Sequence, residues 1–124
     1  MKIGRIGKIE NKGGIINFGE ITGNVTAGIN EAYRGVESKD DNNLEKIHKE
    51  LLKLIDLINS NNAEIQNPEQ TLKRVGKLSE EVFSDNADQT LIERYLELIG
   101  SAVSKVPSIL KNITLIKSLI IGLF

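Results

Sequence analysis

Leu44, Ile47, Leu51, Leu54 and Ile58 recur at alternating steps of three and four, which puts them on one face of an α-helix over residues 43–59. Asn42 followed three residues later by Glu45 fits a capping box, in which each side chain satisfies a free backbone N–H. Leu52, Ile55 and Leu57 widen the apolar arc, so this helix should touch more than one neighbour, and the run Asn59–Asn62 ends it. A second helix opens at Asn67-Pro68-Glu69-Gln70, with asparagine as cap and proline in the first turn. It continues to Phe83 with Leu72, Val75, Leu78, Val82 and Phe83 facing inward. A third is expected over 87–106, with Leu91, Ile92, Tyr95, Leu96, Ile99, Ala102, Val103 and Val106 on one side.

Pro107 separates that helix from the last, residues 108–124, in which ten of seventeen residues are Ile, Leu or Phe. Lys111, Thr114, Ser118 and Gly122 form its polar or small stripe, while Ile109, Ile113, Ile116, Ile120 and Leu123 suit a bundle core. Leu115, Leu119, Ile121 and Phe124 extend the apolar face further than one groove requires. The surplus points to a partner subunit or to a membrane interface. A lone bilayer span is not expected, because about 20 apolar residues are needed and two lysines interrupt this segment.

The opening segment follows another rule. Eight of the eleven glycines lie within residues 1–35, a density that disfavours helix and predicts extended or turning chain over 1–29. Ile3, Ile6, Ile9, Ile15, Phe18 and Ile21 fall on a period of three, and a 12-residue offset lays Ile3 over Ile15, Gly7 over Gly19 and Ile9 over Ile21. A hairpin would have strands at 2–10 and 15–22 with its turn at Asn11-Lys12-Gly13-Gly14. The alternative is a pair of stacked β-rungs completed by the helices or by other copies of the chain. Tyr33 and Arg34 then precede a polar linker and are placed to dock on the helices.

Within that segment, Ile16-Asn17-Phe18-Gly19 resembles the Ile/Val-Gln-Val/Ile-Gly core of the RIP homotypic interaction motif. Residues 13–26 are also similar to short amyloid-like adaptor motifs of bacterial signalling and defence proteins, departing from the core at Asn17 and Phe18. The resemblance implies homotypic recruitment or polymerisation, in families whose attached helical bundle is sometimes a membrane-perturbing effector.

Composition narrows the chemistry. The chain has 124 residues, no cysteine and one histidine, His48, so disulfides, thiolate catalysis and a multi-histidine metal site within one chain are excluded. Its net charge of −1 argues against general nucleic-acid binding. Residues 40–106 carry eight Lys/Arg against thirteen Asp/Glu, whereas 107–124 carry only Lys111 and Lys117, which suits an anionic bilayer surface. No phosphate-binding glycine loop or EF-hand spacing occurs. His48 reads as a solvated surface side chain, and no catalytic, cofactor or metal residues are expected. The segment MKIGRIGKIE lacks the apolar core of a signal peptide, so a cytoplasmic location with membrane association through the last helix is expected.

The fold class expected is therefore α+β. A Gly/Ile-rich β-hairpin or two-rung β-segment (1–29) leads through a linker (30–42) to an antiparallel bundle of about four α-helices (43–124). The function expected is that of a non-enzymatic, self-assembling bacterial adaptor or effector of a stress or antiviral defence pathway. Ile3, Ile6, Ile9, Ile15, Ile16, Phe18, Gly19 and Ile21 would carry homotypic or partner association. Ile109, Ile113, Leu115, Ile116, Leu119, Ile120, Leu123 and Phe124 would form the oligomer or membrane helix. A constitutive structural homo-oligomer, with hairpin and last helix buried, is the alternative.

Overall fold

The computed structural model describes residues 18–124. Among them are five α-helices: α1 (Phe18–Arg34), α2 (Asn42–Ser60), α3 (Pro68–Val82), α4 (Gln89–Ala102) and α5 (Pro107–Ile121). Short 3-10 turns at Glu37–Lys39 and Asn62–Glu64 lie in the α1–α2 and α2–α3 connections. The described residues contain no strand, so the expected α+β class is corrected to all-helical: the four helices expected over 43–124 are α2 to α5, and α1 is a fifth in the segment expected to be extended or linking. Residues 18–22 of the expected second strand are instead the opening turns of α1, and the rest of the expected hairpin or rung pair lies outside the described residues. Ile3, Ile6, Ile9, Ile15 and Ile16 lie outside the described residues.

The reason for the correction is a helix face hidden behind the glycines. Ile21, Val25 and Ile29 are spaced by four, and Ala32, Tyr33 and Val36 continue their side of the chain. Ile29 and Val36 are buried, and Phe18, Ile21, Val25, Ala32 and Tyr33 pack partly buried against the core. Gly23 and Gly28 sit on the exposed side, where an added Cβ would meet nothing within 4 Å. Packing overrides their low helix propensity. Replacing both with alanine should raise stability by about 1–2 kcal/mol, since each glycine in a helix interior costs roughly 0.5–1 kcal/mol. A higher urea midpoint with an unchanged slope is the expected readout.

The helices form a closed ring. α1 packs on α3, α3 on α4, α4 on α5, α5 on α2 and α2 on α1, while α2 and α3 also touch across the middle. The core is aliphatic: Ile29, Ile47, Leu51, Leu54, Ile55, Ile58, Leu72, Leu78, Ile92, Ile99, Ile109 and Ile116 are fully buried. Each such side chain contributes about 1.5–3 kcal/mol relative to leaving it in water.

Local chemistry sets the boundaries. Asp41, one residue before the expected cap, begins α2: its Oδ1 accepts from Asn43 N–H at 2.8 Å and Leu44 N–H at 3.4 Å. Asn67 holds a left-handed φ of 49° and makes no side-chain cap, so Pro68 starts α3 without the expected asparagine cap. Asp88 caps α4 through Leu91 N–H at 3.2 Å, so the helix begins at Gln89, two residues inside the expected start. That helix stops at Ala102, and Pro107 opens α5.

Candidate association surface on the last helix

Helix α5, which ends at Ile121 rather than at the expected residue 124, and the three residues after it present two kinds of apolar residue. Ile109, Ile113, Ile116 and Ile120 are buried, and Leu119 and Leu123 are partly buried against the same core. Leu115, Ile121 and Phe124 keep 45%, 54% and 55% of their surface exposed; with Leu91 they are the exposed large hydrophobic residues of the described chain. Lys111, Thr114, Ser118 and Gly122, the expected polar stripe, are all exposed. The surplus is divided: at 100° per residue Leu115 and Ile121 lie about 120° apart, on opposite flanks of the exposed side.

Between the flanks and the core sits one polar residue that periodicity alone did not single out. Asn112 is 95% buried, and its Nδ2 donates to Glu50 Oε1 of α2 at 2.8 Å and to the Glu50 carbonyl at 3.4 Å. Its Oδ1 is buried without a hydrogen-bond partner. The amide thus fixes α5 against α2 at one register. Further along, a Cβ placed on Gly122 would lie 2.7 Å from Asn43 Nδ2, so the end of α5 meets the start of α2 and the two helices run antiparallel.

Beside α5 on the other flank, an open groove of about 590 Å³ is lined by Thr90, Glu93, Arg94 and Glu97 of α4 and Thr114 and Lys117 of α5. Its rim is charged and exposed, and it holds no convergent set of buried polar groups of the kind that orients a small ligand. At the end of the ring, Leu123 and Phe124 line a space of about 320 Å³ with Val36, Leu44, Val82 and Ala87, bordered by the Lys39–Asp85 ion pair at 3.6 Å.

His48 is not the solvated side chain expected from sequence. It is half-buried and stacks on Tyr33 of α1, with centroids 4.2 Å apart and planes 6° from parallel, while Phe83 meets both rings edge-on. Its Nε2 shares a 2.7 Å hydrogen bond with Asn30 Oδ1. Burial pushes the imidazole below its usual pKa, against the pull of Glu37 and helped by Lys49. Burial, followed by Glu45, Glu37 and Asp40, raises the Tyr33 phenol. Tyr33 therefore does dock on the helices, and this cluster is the clasp between the end of α1 and the α2–α3 pair.

Of the expected association residues at the other end, Phe18 and Ile21 are partly buried and Gly19 is exposed, all in α1. They are not brought near the exposed residues of α5 by any contact between α1 and α5 of the kind that joins neighbouring helices in the ring. Among the described residues no group of three His, Asp or Glu side chains could hold a metal ion, and no helix is long and apolar enough to cross a membrane. No protein-family model, curated protein or solved structure matches this chain.

Proposed function

We propose that this chain is a non-enzymatic, self-associating helical protein, acting as a small adaptor or effector, and that α5 is its contact element. The observation that carries the reading is the crowding of exposed Leu115, Ile121 and Phe124 into the last ten residues, on a helix otherwise seated in the core. A folded monomer gains nothing from leaving these side chains in water, and a partner that straddles α5 and covers both flanks would remove that cost. A bacterial stress or defence pathway is the setting suggested by the resemblance carried by residues 13–26. An anionic lipid surface is the second reading, favoured by Lys105, Lys111 and Lys117 with no acid after Glu97.

The test uses the full chain with Leu115→Glu and Ile121→Glu, both at exposed positions and so compatible with the fold. Light scattering should give a mass above that of one chain for the parent and one chain for the variant. An unchanged mass in the variant would remove α5 as the contact element. Sedimentation with phosphatidylserine vesicles but not with phosphatidylcholine vesicles, by a parent that remains monomeric, would favour the lipid reading instead.

A further inference from the structure

We infer that copies of this chain associate by exchanging α1, so that the helix of one molecule occupies the α2–α3 surface of another. The inference rests on the reading of the chain as self-associating, and it names a second element, α1, distinct from α5.

Four observations mark α1 as the element that can leave. It fully buries a single residue, Ile29, out of seventeen, whereas α2 and α3 bury six each. Its sequence resists the helical state, with Gly19, Gly23 and Gly28 and the β-branched Ile21, Thr22, Val25, Thr26 and Ile29 among its residues. Thr22 Oγ1 is buried without a hydrogen-bond partner. Finally, the seam between α1 and α3 is incompletely filled: a groove of about 320 Å³ runs past Ile21, Val25 and Gly28 on one side and Lys73, Gly76 and Lys77 on the other. α1 packs on both α3 and α2, but mostly through half-exposed side chains, and segments held that way open at free energies below that of global unfolding.

What α1 leaves behind is specific. The surface it covers takes Ile29 at its centre and Val25 against Gly76, and it ends in the His48–Phe83 pair that receives Tyr33 and Asn30. Any second copy of the chain carries both this surface and the helix that fits it, so the contacts made within one molecule are available unchanged between two. Exchange of an identical element is a low-cost route to association for that reason.

The hinge is also present. One connection, residues 35–41, joins α1 to α2, and it contains Gly35, a 3-10 turn at Glu37–Lys39 and Asp40 at a left-handed φ of 53°. Aspartate is among the few residues besides glycine that accept this conformation, so the connection holds a sharp turn that can straighten at little cost. The balance between closed and exchanged forms is then set by protein concentration against the effective concentration of a tethered helix, which is of order millimolar.

The absence of cysteine allows a direct test. A Cβ on Gly76 would lie 3.6 Å from Val25 Cγ1, so Val25→Cys with Gly76→Cys is within reach of a disulfide. The reduced full-length variant is equilibrated at concentrations from about 10 µM to about 1 mM, spanning the effective concentration of the tether, and then oxidised and run on a non-reducing gel. Exchange gives covalent dimers whose fraction rises several-fold across that range. A control pair, Ala27→Cys with Gly76→Cys, which puts the first thiol on the exposed side of α1, should give no such rise. Cross-links that stay within one chain at every concentration would overturn the inference, as would equal dimer formation by the control. The same cysteines placed in the Leu115→Glu, Ile121→Glu background separate the two ideas. Dimers that persist there show exchange standing without the α5 contact.

Discussion

Replacing Leu51 with alanine is expected to lower stability by about 2–5 kcal/mol, the range for removing a leucine from a closed core. Leu51 is fully buried in α2, the helix that touches α1, α3 and α5. The thermal midpoint should fall on the order of 10 °C for a chain of this length. Leu115→Ala is the contrasting substitution: that side chain is half exposed, and the change should be close to neutral in an isolated molecule. Equal losses at the two positions would mean that the outer side of α5 is already covered in solution.

Asn112→Asp is expected to be nearly as damaging at neutral pH and to recover in acid. The amide Nδ2 lies 2.8 Å from Glu50 Oε1, so the substitution exchanges a donor for a second carboxylate in a position that is 95% buried. Two carboxylates at that distance cannot both stay ionised without cost, and the pair must take up a proton. The loss at pH 7 should be about 2–4 kcal/mol, at the lower end of the range for breaking a buried pair because Glu50 is partly exposed. The folded state then has a raised carboxylate pKa, binds more protons than the unfolded chain, and gains stability as pH falls from 7 toward 5. Denaturant midpoints measured at those two pH values should converge on the parent. Asn112→Leu removes the donor without adding charge, and its midpoint should show no such dependence.

The four helices after residue 41 were readable because their apolar spacing matches their burial, except at Leu91, which was expected on the inner side of the third helix and is exposed. Leu44, Ile47, Leu51, Leu54 and Ile58 are all buried, and Leu52 and Leu57, placed at the edge of the arc, are half exposed. The division of α5 was legible in part: Ile109, Ile113, Ile116 and Ile120 went in and Leu115, Ile121 and Phe124 stayed out, but Leu119, expected outside, and Leu123, expected inside, are both partly buried. Cap positions were less so, since Asp41 and Asn42 are both good caps and only the backbone decides between them. α1 was misread because glycine content reports the cost of a helix and not the contacts that offset it. The step of four in Ile21, Val25 and Ile29 was present, but three-residue spacing among the preceding isoleucines drew the reading toward β-structure. The Asn112–Glu50 bond left no trace in periodicity, as a lone asparagine on an apolar helix looks like an interruption until its partner is located.

That bond also bears on how the ring comes together. Glu50 and Asn112 are separated by 62 positions, whereas α3 and α4 meet across a short loop. Contacts between chain neighbours are entropically cheap to form early, and joining α5 to α2 closes a long loop only after the intervening helices are in place. The α2–α5 seam is thus the natural last step on the folding route. Strengthening it would act mainly on the rate at which the ring comes apart, leaving the rate of assembly almost unchanged.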